Sequence, residues 1–516
     1  MTEGITLEKR GSITVFYSLS LFMTLVIFFT FLDTSRLIGQ KAKAEVVSRE
    51  AVMSCFGEYL RPVWDTYGVL MLDSCYGTEG AVDLNLMEAV MGEYLGENAS
   101  PCIKGENYFR LDVQECAVKE YGLITDEGGL PFLKEAALRQ KAELPQQALD
   151  KLTSQKEQIQ KDQKTTGNVD NMIENGQKAV QDAGKQKEKE KEGNKEKVKK
   201  NRKKKGAGSG KAEEKQTGGD EPENPMDTLM ELKDQGILSQ VLAPGEKASE
   251  AVMELQNPVS KRPLAEGNVR EEGLTMVEKG LFVDYEMTHF QHYGSDFDHT
   301  GLKYEWEYVI NGKKSDKANL AATVEKLLAM REAENLISLT RDQVKMAEVE
   351  SLALSLVGWT GNPAIIEATK AGLIASWAYV ESVLDVRTLL AGKKVALLKT
   401  PDQWTSQLLC LANYFHSSVK AKECREGISY EEYLCIMSAM QTEKTLGLRS
   451  LDLMENVLHL QEGYETVTMD RCVYRMKVSF AYESKPVFYS QLSGLRKTFP
   501  ICHFKGMAQI NYLTEL

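Results

Sequence analysis

The chain has 516 residues, 42% of them apolar and 27% charged, which is enough apolar content for a core and length for two to four structural units. That composition excludes collagen-like, mucin-like and wholly disordered classes. A net charge of −12 argues against a general nucleic-acid binder, and nine cysteines over this length do not make a disulfide-built miniprotein.

Residues 1–12 form an N-terminal tail carrying Lys9 and Arg10. Ile13 to Leu32 then give 20 consecutive residues without a charge. At 1.5 Å per residue such a helix covers roughly 30 Å, the hydrocarbon thickness of a bilayer. A cleaved secretory signal would carry an apolar stretch of only about 7–15 residues with a small-residue cleavage site behind it. The run therefore predicts a single-pass transmembrane helix at 13–32, with the lipid bilayer as a partner. Lys and Arg lie on both sides of it, Lys9 and Arg10 before and Arg36, Lys41, Lys43 and Arg49 after, so charge counting leaves the orientation open.

The segment KRGSITVFYSLSLFMTLVIFFTFLDTSRLIGQKAKAEVVSREAV resembles the N-terminus of TadE/TadG-like proteins of Tad (Flp) pilus-assembly systems. In that family a basic-Gly start leads into an apolar helix, an Asp-x-x-Arg step and an Ala-rich amphipathic helix. Gly11, Asp33 and Arg36 fill those positions here, which makes Asp33 and Arg36 a membrane-exit motif. The resemblance implies a cell-membrane protein with its N-terminus inside and its body extracytoplasmic, working with other pilus or secretion envelope proteins. Some relatives are cut like prepilins after a Gly, with a Glu five residues on. Gly11 and Ser12 are the corresponding processing positions, with Phe16 at the Glu position. Three further segments, FGEYLRPVWDTYGVLMLD, NPMDTLMELKDQGILSQVL and ASWAYVESVLDVRTLLAGKKVALLKTPDQW, resemble a domain of unknown function in anchored proteins of Gram-positive bacteria. That resemblance implies an architecture and no catalytic residues.

Past the apolar run, Ala42, Val46, Arg49, Met53 and Phe56 recur at helical steps and extend the helix until Pro62 ends it. Residues 33–130 read as a juxtamembrane α+β region: a buried strand over 67–72, a helix over 83–95 capped by Asp83, and an alternating strand over 108–118. Residues 131–182 read as a polar helical stalk. Leu138, Leu149, Leu152 and Ile159 are too sparse for a sustained heptad seam. Residues 183–224 are low complexity and predict a disordered charged linker, since they offer too little apolar surface to offset the entropy of ordering. Over 151–222 there are 19 Lys and Arg against 13 Asp and Glu, a local excess of +6.

Residues 225–516 read as one helix-rich body. A helix starts at Asn224-Pro225 and ends near Gly236. Leu302–Gly312 alternates like a strand closed by an Asn-Gly hairpin turn. Helices follow over 316–339, 341–358 with Thr340 as N-cap, 363–391 with Gly392 as stop, 429–442 and 447–461. Residues 472–482 and 506–513 alternate as strands. The expected fold is α+β, helix-dominated, with a few antiparallel strands.

Few constellations carry chemistry. DYEMTHFQHYGSDFDH, residues 284–299, holds His289, His292 and His299 among carboxylates, a donor set suited to zinc or a harder ion. His289 and His292 stand only three apart, with no HExxH or CxxC pairing, so a packed amphipathic element is the plainer reading. Glu381 and Asp385 are an i, i+4 carboxylate pair in an apolar helix, with Arg387 beside them; such a pair can run acid–base chemistry or form a buried polar network. GAGSGK at 206–211 lacks the first Gly and the Ser/Thr of a P-loop. The cysteines show no diagnostic spacing, and their odd number leaves at least one unpaired within the chain. No catalytic residue or cofactor is expected. The leading expectation is a non-enzymatic, membrane-anchored extracytoplasmic structural or accessory protein of a Tad-like (type IVb) pilus or secretion apparatus. The alternatives are an anchored extracytoplasmic hydrolase or metal-dependent enzyme and, more weakly, a cytoplasm-facing membrane adaptor.

Overall fold

The first regular element continues from the apolar run without a break. In chain order the elements are α1 (Ile5–Phe56), α2 (Arg61–Tyr67), β1 (Leu72–Asp73), α3 (Leu84–Ala99), β2 (Asp112–Leu123), α4 (Asp126–Gln140), α5 (Gln146–Thr166), α6 (Val169–Arg202) and α7 (Ile237–Val241). They continue with α8 (Met276–His289), α9 (Glu305–Asn311), α10 (Asp316–Arg341), α11 (Gln343–Val357), α12 (Pro363–Leu390), α13 (Tyr430–Ala439), α14 (Glu443–His459), β3 (Cys472–Ser484) and β4 (Cys502–Asn511). The computed structural model describes residues 5–99, 109, 111–140, 146–202, 224–227, 229, 236–296, 301–414, 418–485, 487–488 and 502–513. The fold is the expected α+β type, helix-dominated with a few antiparallel strands.

The chain forms two units, each discontinuous in sequence. One comprises residues 1–139, 254–282 and 443–516; the other comprises 140–253 and 283–442.

The first unit is built on β3. Residues 473–483 of it pair antiparallel with β2 on one edge. On the other edge its first two residues meet β1 and residues 475–484 meet β4. Met476, Val478, Phe480 and Tyr482 alternate with half-buried neighbours, so period-2 patterning is met on one face. The second half of α1 packs on β3, β4 and α3. The buried stripe of α1 is Gln40, Ala44, Val47, Ser48, Ala51, Val52, Cys55 and Phe56. The sequence places the repeat on Val46 and Met53 instead, and these are 55% and 49% exposed. The polar Gln40 and Ser48 displace the expected phase because the sheet supplies partners: Ser484 Oγ donates to Gln40 Oε1 at 2.6 Å, and Ser48 bonds the Tyr482 hydroxyl. The helix ends at Phe56, before Pro62, which opens α2.

The run 67–72 is buried but is not a strand. Tyr67 closes α2 against Gly68 in the left-handed region (φ 65°), and only Leu72–Asp73 pairs with β3. Asp83 does accept from the Leu86 N–H at 3.0 Å, as a cap at that helix start should.

The second unit is a bundle around α12, which packs against α6, α10 and α11. Every residue of α12 from Gly372 to Leu389 is buried, which explains its near-uniform apolar composition. Residues 146–182, expected as part of a free polar stalk, are built into this bundle: α5 packs on α10 and α13, α6 packs on α12, and Ile159 and Ile173 are buried. α6 also continues through 183–202, where disorder was expected; Lys and Glu are good helix formers and no Pro interrupts them. Residues 203–223 of the expected linker lie outside the described residues. Of the expected helix after Asn224, residues 225–227 are helical, and most of 228–235 lies outside the described residues.

Two starts in this unit differ from expectation. Leu302–Gly312 is the helix α9 rather than a hairpin. Its alternation came from Glu305 and Glu307, which are buried acceptors for the N–H groups of Gln291 and Tyr293, both at 2.9 Å, and Gly312 (φ 63°) is a helix C-cap. α11 is capped by Asp342, which accepts from Val344 and Lys345; the Thr340 hydroxyl donates back to the Leu336 carbonyl of α10.

Where α6 crosses α12, a Cβ on Gly372 would sit 2.7 Å from the Gly176 Cα. Backbone meets backbone there, so the clash cannot be relieved by a rotamer. Gly372→Val should lower stability by about 1–3 kcal/mol through overpacking. Gly184→Ala, on α6 with open space around it, should be neutral or stabilising by up to about 1 kcal/mol through helix propensity. Thermal unfolding of the two variants checks the pair.

Candidate functional site at the end of the apolar run

From Ile13 to Leu25 every side chain of α1 is exposed, although the stretch is almost wholly apolar. Its mean hydropathy reaches 2.2, and it is long and apolar enough to cross a membrane. Backbone hydrogen bonding within a helix satisfies its own polar groups, so such a rod can enter hydrocarbon. Ser18, Thr24, Thr30 and Thr34 turn their hydroxyls back onto carbonyls three or four residues earlier, which removes their cost in an apolar medium. Gly11 and Ser12 lie inside this helix.

Asp33 and Arg36 do join one arrangement. Asp33 Oδ1 accepts from the N–H groups of Val487 and Phe488 at 3.1 and 3.3 Å. Arg36 Nη1 donates to the Lys485 carbonyl at 2.8 Å. The Phe29 and Phe488 rings stack, with centroids 6.4 Å apart and planes 10° from parallel. The chain leaving β3 is thus pinned to α1 where the apolar run ends. Two turns further on, Lys43 Nζ donates to the Ala99 carbonyl at 2.6 Å, a cation on the C-terminal end of α3. Sequence reading found Asp33 and Arg36 but not their partners, because those lie more than 440 residues away.

Glu381 and Asp385 join a closed charge network in the second unit. Asp385 Oδ2 accepts from Arg331 Nε and Nη2 at 3.0 and 2.8 Å and from Asn335 Nδ2 at 2.8 Å. Lys399 Nζ lies 2.6 Å from Asp385 Oδ1 and also pairs with Glu381. Glu381 in turn accepts from the Thr405 and Ser406 N–H groups and the Ser406 hydroxyl. Arg331 pairs with Glu334, and both bond the Tyr433 hydroxyl. All these charged groups are buried, so the network is a pin between α10, α12 and the 397–406 segment. Arg331, Glu334 and Asn335 were missed because MREAEN in α10 reads as a solvent face; their i, i+3, i+4 spacing was the available signal. Arg387 is not part of this network. Its guanidinium donates to the carbonyls of Gln240, Tyr414 and Val419, beside a cavity of about 1260 Å³ lined largely by residues 236–250.

Burial would raise the Asp385 carboxyl, but Arg331 and Lys399 hold it below the usual range. Burial pushes Glu334 up to about 8 against the pull of Arg331. Arg331 and Lys399 thus face three acidic side chains, Glu334, Glu381 and Asp385. A pKa raised on folding means that the native state binds the proton the unfolded chain has lost. Stability from Glu334 is therefore full below about 4.5 and is lost as pH rises through about 8. Glu334→Gln should flatten that decline, and denaturation at pH 5 and pH 8.5 should show the variant gaining on the parent at the higher pH.

Two of the three histidines of the 284–299 segment pack on aromatic rings. His289 stacks on Tyr285 at 4.2 Å between centroids, with Nδ1 3.2 Å from the Tyr285 carbonyl. His292 packs edge-on to Trp306 and against Tyr430, whose hydroxyl donates to Glu307 at 2.7 Å. Among the described residues no group of three His, Cys, Asp or Glu side chains gathers as a metal ligand set. His299 lies outside the described residues. The eight described cysteines are free thiols.

These features define a helix-dominated α+β protein with one N-terminal helix long and apolar enough to cross a membrane. The chain belongs to a family of unknown function, DUF5702, whose model matches residues 215–484. The match supports the expected domain of unknown function; it starts well after the TadE/TadG-like segment and lends that resemblance no support. No curated protein and no solved structure matches the chain.

Proposed function

We propose that this protein is anchored in the cell membrane by α1, carries its two units on the extracytoplasmic side, and serves as a structural or accessory component of a Tad-like (type IVb) pilus or secretion apparatus. The observation that carries the reading is the bare apolar half of α1 running unbroken into a half packed on the sheet. A rod of that kind transmits position from the bilayer to a folded body, which suits an assembly component. The TadE/TadG-like start, with Asp33 and Arg36 in the exit positions, supports the particular system. The hydrolase alternative gains nothing from Glu381 and Asp385, which are closed off from solvent.

Protease treatment of intact cells, read with antibodies to each unit, tests the placement. Digestion of both units is expected. A body cut only after cell lysis would overturn the extracytoplasmic reading and favour a cytoplasm-facing adaptor. Crosslinking the full-length chain in cells should recover pilus-assembly membrane proteins; loss of the gene with pilus assembly unaltered would count against the system.

A further inference from the structure

We infer that Val487 and Phe488 form a second contact with the lipid bilayer, an interfacial foot beside the anchor helix. This rests on the anchor reading and adds a site to it. Phe29 precedes Leu32, the end of the apolar run, by three residues, so it lies roughly 4–5 Å inside the hydrocarbon edge at 1.5 Å per residue. A ring stacked on Phe29 shares that depth, and Phe488 is that ring. The depth fits apolar side chains of interfacial segments, which enter by about 5–10 Å.

The backbone is prepared for that position. An N–H group facing hydrocarbon must be satisfied internally. The Val487 and Phe488 N–H groups are satisfied by Asp33, which stands directly after the apolar run. Two residues earlier the chain is held by Arg36 through the Lys485 carbonyl, and the Lys485 side chain is exposed. The order is that of an interface: a cation at headgroup level, then an aliphatic side chain, then an aromatic ring at the acyl edge. Phe29, Val487 and Phe488 are each half-buried, so the stacked pair keeps an open apolar surface and is not closed into a core. The occupant of that surface is the acyl chain and carbonyl region of the lipid.

The test uses the full-length protein in nanodiscs containing a phospholipid with a diazirine near the acyl carbonyl. After photolysis, adducts are located by mass spectrometry. Adducts are expected on Val487 or Phe488 and within residues 13–32, and Asp33→Ala should reduce those on 487–488 several-fold while leaving those on 13–32 unchanged. Adducts on 13–32 with none on 487–488 would overturn the foot and leave the anchor standing. Adducts on neither would overturn the anchor and the foot together.

Discussion

Residues 215–484, the stretch matched by the family, should fail to fold when expressed alone. β3 lies inside that stretch, but β1, β2 and β4 all lie outside it. Cutting there strips both edges of the central strand and uncovers the face that meets α1. Unpaired edges and a bared apolar face are a template for aggregation. In the other unit α12 would lose α6, and α10 and α13 would lose α5. We expect inclusion bodies or a non-cooperative melt from 215–484. A chain of residues 33–516, which drops only the N-terminal tail and the apolar run, should stay soluble and unfold cooperatively. A sharp thermal transition from 215–484 would show that the interleaving of the units is not required for folding.

The second large effect belongs to Asp385. Its carboxylate faces Arg331 and Lys399 in a site without solvent. Asp385→Ala leaves two buried cations with one fewer counter-charge, and removing one partner of a buried pair costs about 3–5 kcal/mol. The exposed Lys178–Glu174 pair on α6 gives the contrast: Glu174→Ala should cost no more than about 0.5 kcal/mol. Denaturant titration of the full-length protein measures both. Equal losses would mean that the network pins nothing.

What could be read from the sequence divides along physical lines. Periodicity located α12, because a largely apolar 28-residue helix between Asn362 and Gly392 has clear ends. It located most of β3, because one buried face imposes period 2. It failed at α9, where Glu305 and Glu307 mimic the solvent side of a strand while being buried acceptors. It misphased the second half of α1, where Gln40 and Ser48 are buried because the sheet answers them. Asp33 and Arg36 were visible as charges closing the apolar run, but what they hold depends on Lys485, Val487 and Phe488 from the other end of the chain. Long-range pairing of that kind leaves no local pattern. Neither does the interleaving of the units, which put β3 and β4 with the N-terminal elements and made α5 and α6 part of a bundle.

The account depends most on α1 entering the bilayer. Alkaline carbonate extraction of membranes from cells expressing the full-length chain tests this directly, with a variant lacking residues 13–32 beside it. The prediction is that the full-length protein stays in the pellet and the shortened one moves to the supernatant. Recovery of the intact full-length protein in the supernatant would contradict the account.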